Sequence, residues 1–275
     1  MAPTFNFITC KMLSIRSLFK KAKKPAPDVL HIALDEMTST NQYCLAELCG
    51  RNRVGITPYS LAVITAEHQS LGRGQGANTW ESERGQNLLF SILCHPAWVP
   101  VRAQFCISEC IALAIRDALS ELTGDILIKW PNDIYWRDRK ICGILIENRL
   151  EEGRIRDCVV GVGINVNQQI FRSDAPNPVS LVQILGRETD RRQLLDRVIQ
   201  LFRENLEALR RGNYAGIAAA YASHLYRADG FHAYRDAAGN FEAALVEVEE
   251  DGHLILRDTA GSIRSYAFKE VEFVL

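Results

Sequence analysis

From Glu67 the chain reads Glu-His-Gln-Ser-Leu-Gly-Arg-Gly-Gln-Gly-Ala-Asn-Thr-Trp, ending at Trp80. Gly72, Gly74 and Gly76 are too closely spaced for a helix or strand interior, because glycine costs backbone entropy and packs nothing. What glycine allows is close approach of backbone N–H groups to a ligand. Arg73, between two of them, adds a planar and permanently charged fork suited to carboxylate or phosphate. The pattern suits an anion cradle, and it suits a mobile surface turn equally well. A second stretch, Ile126-Leu127-Ile128-Lys129-Trp130-Pro131-Asn132-Asp133, ends an apolar run in a lysine and then turns. A lysine there must snorkel or meet an anion, since burying it unpaired is costly. Two anion-seeking positions, each following a strand, suggest one shared site.

These motifs, taken in order with Ser39-Thr40-Asn41, Gln69, Arg139-Lys140, Gly143-Ile144-Leu145 and Gly161-Val162-Gly163-Ile164-Asn165, resemble the biotin–protein ligases. The likeness spans roughly residues 30 to 170, and the specificity lies in the order and spacing of several weak motifs. It implies an ATP-dependent ligase. Biotin's carboxylate attacks the α-phosphate of ATP, giving biotinyl-5′-AMP and pyrophosphate. A lysine of a carboxylase biotin carrier domain then takes the biotinyl group. Both steps need positive charge more than acid–base chemistry.

The resemblance makes Lys129 and Arg73 the expected catalytic residues. It implies substrate contacts from Ser39, Thr40, Asn41, Gln69, Gly72, Arg73, Gly74, Gln75, Trp80, Lys129, Gly143 and Ile144. It implies nucleotide contacts from Arg73, Asn132, Gly161, Gly163 and Asn165, the two glycines making room for the nucleotide. Mg²⁺ would accompany the ATP. Asn132 and Asp133 could help to hold metal or nucleotide, and turn formation explains them as well; no protein metal site is expected. The family's commoner loop continues Gly-Arg-Gly-Arg-Arg-Gly-Arg, whereas this chain has Gln75-Gly76-Ala77-Asn78. Fewer loop cations predict a leakier adenylate, measurable as biotinyl-AMP released without acceptor.

The elements that must position these residues are legible in the apolar pattern. Strands are expected over Leu30–Leu34, Leu61–Thr65, Asn87–Leu93, Ile126–Lys129, Ile141–Asn148 and Val159–Asn167. Helical periodicity runs over Val101–Leu122 and Gln193–Arg211. Ser39 with Gln42 predicts a capping box opening another helix. From about Gly230 short alternating runs (Phe241–Val248, Leu254–Leu256, Ser265–Val274) with an Asp251-Gly252 turn suggest a small SH3-like β-barrel. The expected fold is α/β (α+β): a mixed sheet flanked by helices over 28–228, then a β-domain over 229–275.

Residues 1–27 carry lysines and arginine with no acidic partner and end in Pro25-Ala26-Pro27. They read as a basic, disordered tail; a presequence or an over-extended start are the alternatives, while no secretory pattern is present. This segment is too short for the DNA-binding helix-turn-helix that repressor members carry ahead of the catalytic domain. With 47% hydrophobic residues, 24% charged and a net charge of −1, the chain shows no basic character for nucleic acid and no membrane-length apolar run. Eight cysteines lacking Cys-x-x-Cys or Cys/His zinc spacing read as buried thiols of a cytoplasmic protein. A lipoate or other acyl-acid ligase on the same scaffold, or a non-catalytic biotin binder, are the competing functional readings. The oligomeric state is not legible.

Overall fold

The computed structural model describes residues 7–9, 29–49, 61–74, 76, 78–173 and 175–274. In chain order these form β1 (Phe7–Thr9), β2 (Val29–Met37), α1 (Thr40–Tyr43) running into a π-helical turn (Cys44–Leu48), β3 (Leu61–Gln69) and β4 (Leu88–Cys94). There follow α2 (Phe105–Ser120), β5 (Ile126–Lys129), β6 (Asp133–Trp136), β7 (Arg139–Glu151), β8 (Arg154–Ile164), α3 (Leu181–Leu185), α4 (Arg191–Arg210) and α5 (Tyr214–Ala222). The chain ends in β9 (Phe231–Asp236), β10 (Gly239–Val248), β11 (Leu254–Asp258), β12 (Ile263–Tyr266) and β13 (Glu272–Phe273). Of the expected N-terminal tail, Phe7–Thr9 pair in parallel with β2; the rest lies outside the described residues.

Contacts divide the chain into two units, Met1–Val101 with Cys142–Arg191 and Arg102–Ile141 with Arg192–Leu275. α2, α4 and α5 group with the C-terminal strands in the second of them. In the first unit the strand order is β1-β2-β3-β4-β8-β7. β2 runs parallel to β1 and β3, and β4, β8 and β7 continue antiparallel. All seven residues of β4 are buried, as an unbroken apolar run in a central strand requires. Ile32, Ala62, Ile64, Leu93 and Val159 of the sheet pack with Cys44 and Leu48 of the π-turn.

The second unit holds the antiparallel β5–β6 hairpin, of which β6 was not foreseen. Its other sheet is antiparallel in the order β12-β11-β10-β9-β13, where the sequence predicted a small β-barrel. β9 and α5 went unanticipated: β9 holds few apolar residues, and in α5 nearly every residue is apolar or glycine, so neither sets a period.

The seven described cysteines are reduced and buried; burial and the nearby acidic Glu109 and Glu250 push the Cys106 thiol up to about 12. On α2, Glu109 is 6% exposed, and desolvation raises its carboxyl from 4.5 to about 7. A carboxyl raised by folding stabilises the native state fully below its unfolded value, and that contribution disappears as pH rises through about 7. Over that window it is worth roughly 3 kcal/mol. Glu109→Gln is therefore expected to melt several degrees above the parent chain at pH 8 and close to it at pH 4. Thermal scans at both pH values check this, and equal melting at pH 8 would refute it.

Candidate functional site

In the first unit, the neighbouring strands β4, β8 and β7 bring Ser91 and three glycines close together in register. Ser91 of β4 pairs with Gly161 of β8, and Gly161 pairs on its other side with Leu145 of β7. Two residues along, Gly163 lies between Leu89 and Gly143. A Cβ on Gly161 would fall on the Asn41 carboxamide, and one on Gly163 on the Trp80 indole. The two glycines thus seat the chain's own Asn41 and Trp80 side chains.

Asn41 is 3% exposed, and its amide is held at both ends. Its Nδ2 donates to Glu147 Oε2 at 2.8 Å and to the Leu145 carbonyl at 3.2 Å. Its Oδ1 accepts from Ser91 Oγ at 2.5 Å. Carboxylate and carbonyl can only accept, so they fix which end of the amide is nitrogen. Ser91 Oγ also lies 2.7 Å from Thr40 Oγ1. Thr40 Oγ1 in turn donates to Gln69 Oε1 at 3.1 Å.

The expected capping box does not form. Ser39 occupies the N-cap with extended backbone, but its side chain makes no capping bond. Instead Gln69, at the end of β3, sends Oε1 to the Thr40 backbone N–H at 2.8 Å. A residue 29 positions away satisfies the helix's orphan donor. Thr40 and Asn41 therefore build the corner, while the Ser39 hydroxyl and Gln69 Nε2 show no hydrogen bond to a described residue.

The glycine loop is a pair of short arms. Arg73 bridges Thr79, Gly74 N–H donates to the Asn78 carbonyl at 2.8 Å, and Trp80 N–H donates to the Gly72 carbonyl at 2.9 Å. The Gly74 N–H expected to serve an anion is thus engaged within the loop. A Cβ at Gly72 would strike the Trp80 carbonyl, which is why glycine stands there. Arg73 is paired with Glu147 Oε1 at 3.3 Å. Gln75 lies outside the described residues. Ile144 is buried within β7. Asn165 is also buried: its Nδ2 donates to the Val179 carbonyl at 3.1 Å, and its Oδ1 has no hydrogen-bond partner among the described residues.

Lys129 and Asn132 belong to the second unit. Lys129 ends β5, and its neighbours are pinned on both sides. Ile128 N–H donates to the His224 carbonyl at 2.9 Å, and the Ile128 carbonyl accepts from Tyr226 N–H at 2.8 Å. Trp130 Nε1 donates to the Gly252 carbonyl at 3.0 Å, and the Pro131 carbonyl accepts from Tyr221 at 2.8 Å. The turn containing Asn132 leads to Asp133, whose carboxylate lies 2.7 Å from Lys140 Nζ. Lys129 Nζ sits 5.1 Å from the ring centroids of both Tyr135 and Phe273. Desolvation there lowers its pKa, with Asp133 opposing.

Two residues of this geometry had been given no role from sequence. Ser91 is the only hydroxyl in the Leu88–Cys94 run, and Glu147 the only acid in Ile141–Asn148. A polar residue interrupting or closing an apolar run was the signal available for both.

Residues 37–165 match the biotin/lipoate A/B protein ligase family. The chain is similar to the bifunctional ligase/repressor BirA of Bacillus subtilis, 27% identical over 243 residues covering 86% of this chain and 72% of that protein. It is similar to the biotin–[acetyl-CoA-carboxylase] ligase of Mycobacterium tuberculosis, 31% identical over 142 residues covering 50% of this chain and 51% of that protein. Its fold is that of the biotin protein ligase of Aquifex aeolicus, solved with biotin and ATP, at a TM-score of 0.72 and 24% identity, covering 89% of this chain and 99% of that one.

Proposed function

The chain belongs to the biotin/lipoate A/B protein ligase family, and on that premise we propose that it is an ATP-dependent biotin–protein ligase. The observation that carries the reading is the buried corner at the sheet centre, where Ser39 and Gln69 present polar groups over a scaffold of Thr40, Asn41 and Ser91. A ureido ring needs short donors and acceptors in a fixed arc, and Gln69 Nε2 and Ser39 Oγ supply both kinds.

Biotin's carboxylate attacks the α-phosphate of ATP, forming biotinyl-5′-AMP and expelling pyrophosphate. The ε-amine of a lysine on a carboxylase carrier domain then attacks the anhydride and releases AMP. Arg73 and Lys129 supply the positive charge that two meeting anions require. Asp133 is already neutralised by Lys140. Any Mg²⁺ therefore fits as an ion carried by the nucleotide, where it would screen phosphate charge. Among the described residues no helix is long and apolar enough to cross a membrane.

Pyrophosphate exchange with ATP, Mg²⁺ and either biotin or lipoate tests the proposal. Exchange is expected with biotin and at most weakly with lipoate. Exchange driven by lipoate alone would reassign the substrate, and binding of biotin without exchange would leave a binder.

A further inference from the structure

Glu147 touches both halves of the first unit's site with separate oxygens. Oε2 receives Asn41 Nδ2 at 2.8 Å, and Oε1 faces Arg73 Nη2 at 3.3 Å. Asn41 belongs to the recognition corner on α1, and Arg73 to the glycine loop; Glu147 itself stands on β7. We propose that Glu147 is a positioning residue that ties Arg73 to the Asn41 corner, so that the placement of the guanidinium and of the Asn41 amide depend on each other.

Saturation of the Asn41 amide supports this. Its oxygen is committed to Ser91 and its nitrogen to Glu147 and Leu145. Without the carboxylate, Asn41 Nδ2 keeps only the Leu145 carbonyl at 3.2 Å. The Arg73 side chain is long and flexible, and Glu147 limits its reach. A guanidinium has five donors, so Arg73 can keep Glu147 and still receive an anion. The competing view is an incidental exposed ion pair, since the two side chains are 38% and 26% exposed and such pairs are often weak.

The inference that this coupling serves substrate recognition rests on the proposed ligase activity, whereas the coupling itself is measurable without it. Trypsin cleavage after Arg73 in the ligand-free chain, relative to cleavage elsewhere, is expected to rise about 3- to 5-fold in Glu147→Gln. This is the range a weak ion pair supplies. Gln keeps an acceptor for Asn41 and removes the charge holding Arg73. In the parent chain the same cleavage should accelerate with salt, and in Glu147→Gln it should not. The salt response of the parent chain needs only the unaltered protein should the variant fold poorly.

With biotin-dependent exchange as the readout, Glu147→Gln should raise the KM for biotin about 3- to 5-fold with kcat within twofold. In an Arg73→Ala background it should add nothing. Independent, multiplying effects in that cycle, or cleavage after Arg73 indifferent to both Glu147→Gln and salt, overturn the inference. An unaltered chain without biotin-dependent exchange overturns the ligase reading alone, and the cleavage measurements still decide the coupling.

Discussion

Replacing Lys129 with alanine is expected to lower biotin-dependent pyrophosphate exchange by about 10²–10³, the loss typical of removing one preorganised group that meets developing charge. The side chain is aimed by its surroundings more than by its own contacts. Ile128 is tied to the His224 and Tyr226 backbone, and Trp130 to the Gly252 carbonyl. The ammonium is held near the Tyr135 and Phe273 rings. Removing a desolvated cation from such a place takes away charge without leaving a buried partner unpaired, so folding should be retained. The pH dependence gives a second readout. Burial lowers the Lys129 pKa, so activity that needs the ammonium is lost as pH rises through that lowered value, below the ordinary lysine range. Lys129→Arg, whose charge persists, should flatten this alkaline limb. A kcat–pH profile checks both points; Lys129→Ala activity within fivefold of the parent would remove Lys129 from the chemistry.

Gly161→Ala should cost about 2–3 kcal/mol of stability and abolish tight biotin binding, because overpacking here has no soft neighbour to move. The new Cβ meets the Asn41 carboxamide. That amide is braced by Ser91 of β4 and by Leu145 and Glu147 of β7, and has nowhere to go. Displacing it breaks the corner on which Thr40 and Gln69 depend. Gly163→Ala provides the contrast, since the Trp80 indole it would strike is only half-buried and attached to a loop. Its stability loss should be smaller. Urea unfolding and biotin titration of both variants check this. A Gly161→Ala loss below about 0.5 kcal/mol would show that Asn41 is less tightly braced than the geometry requires.

The amino-acid sequence by itself determined the strand runs, the long helices and the residues carrying charge. Those features rest on local periodicity and on the cost of burying lysine or packing glycine, which neighbours in sequence suffice to express. It also carried the family likeness, through motifs whose order survives without coordinates. What only the tertiary structure decided is who partners whom. Ser39 and Gln42 satisfy the local rule for a capping box, yet Gln69 caps the helix from the end of another strand. Gly161 and Gly163 advertise space without saying what fills it, and Asn41 and Trp80 fill it. The Gly74 N–H reads as available until Asn78 folds back onto it. Glu147 reads as the solvated end of a strand until Asn41 and Arg73 converge on it. Each of these is a competition for one hydrogen bond, one charge or one small volume among groups brought together by strand pairing. The outcome depends on distances that sequence spacing does not encode.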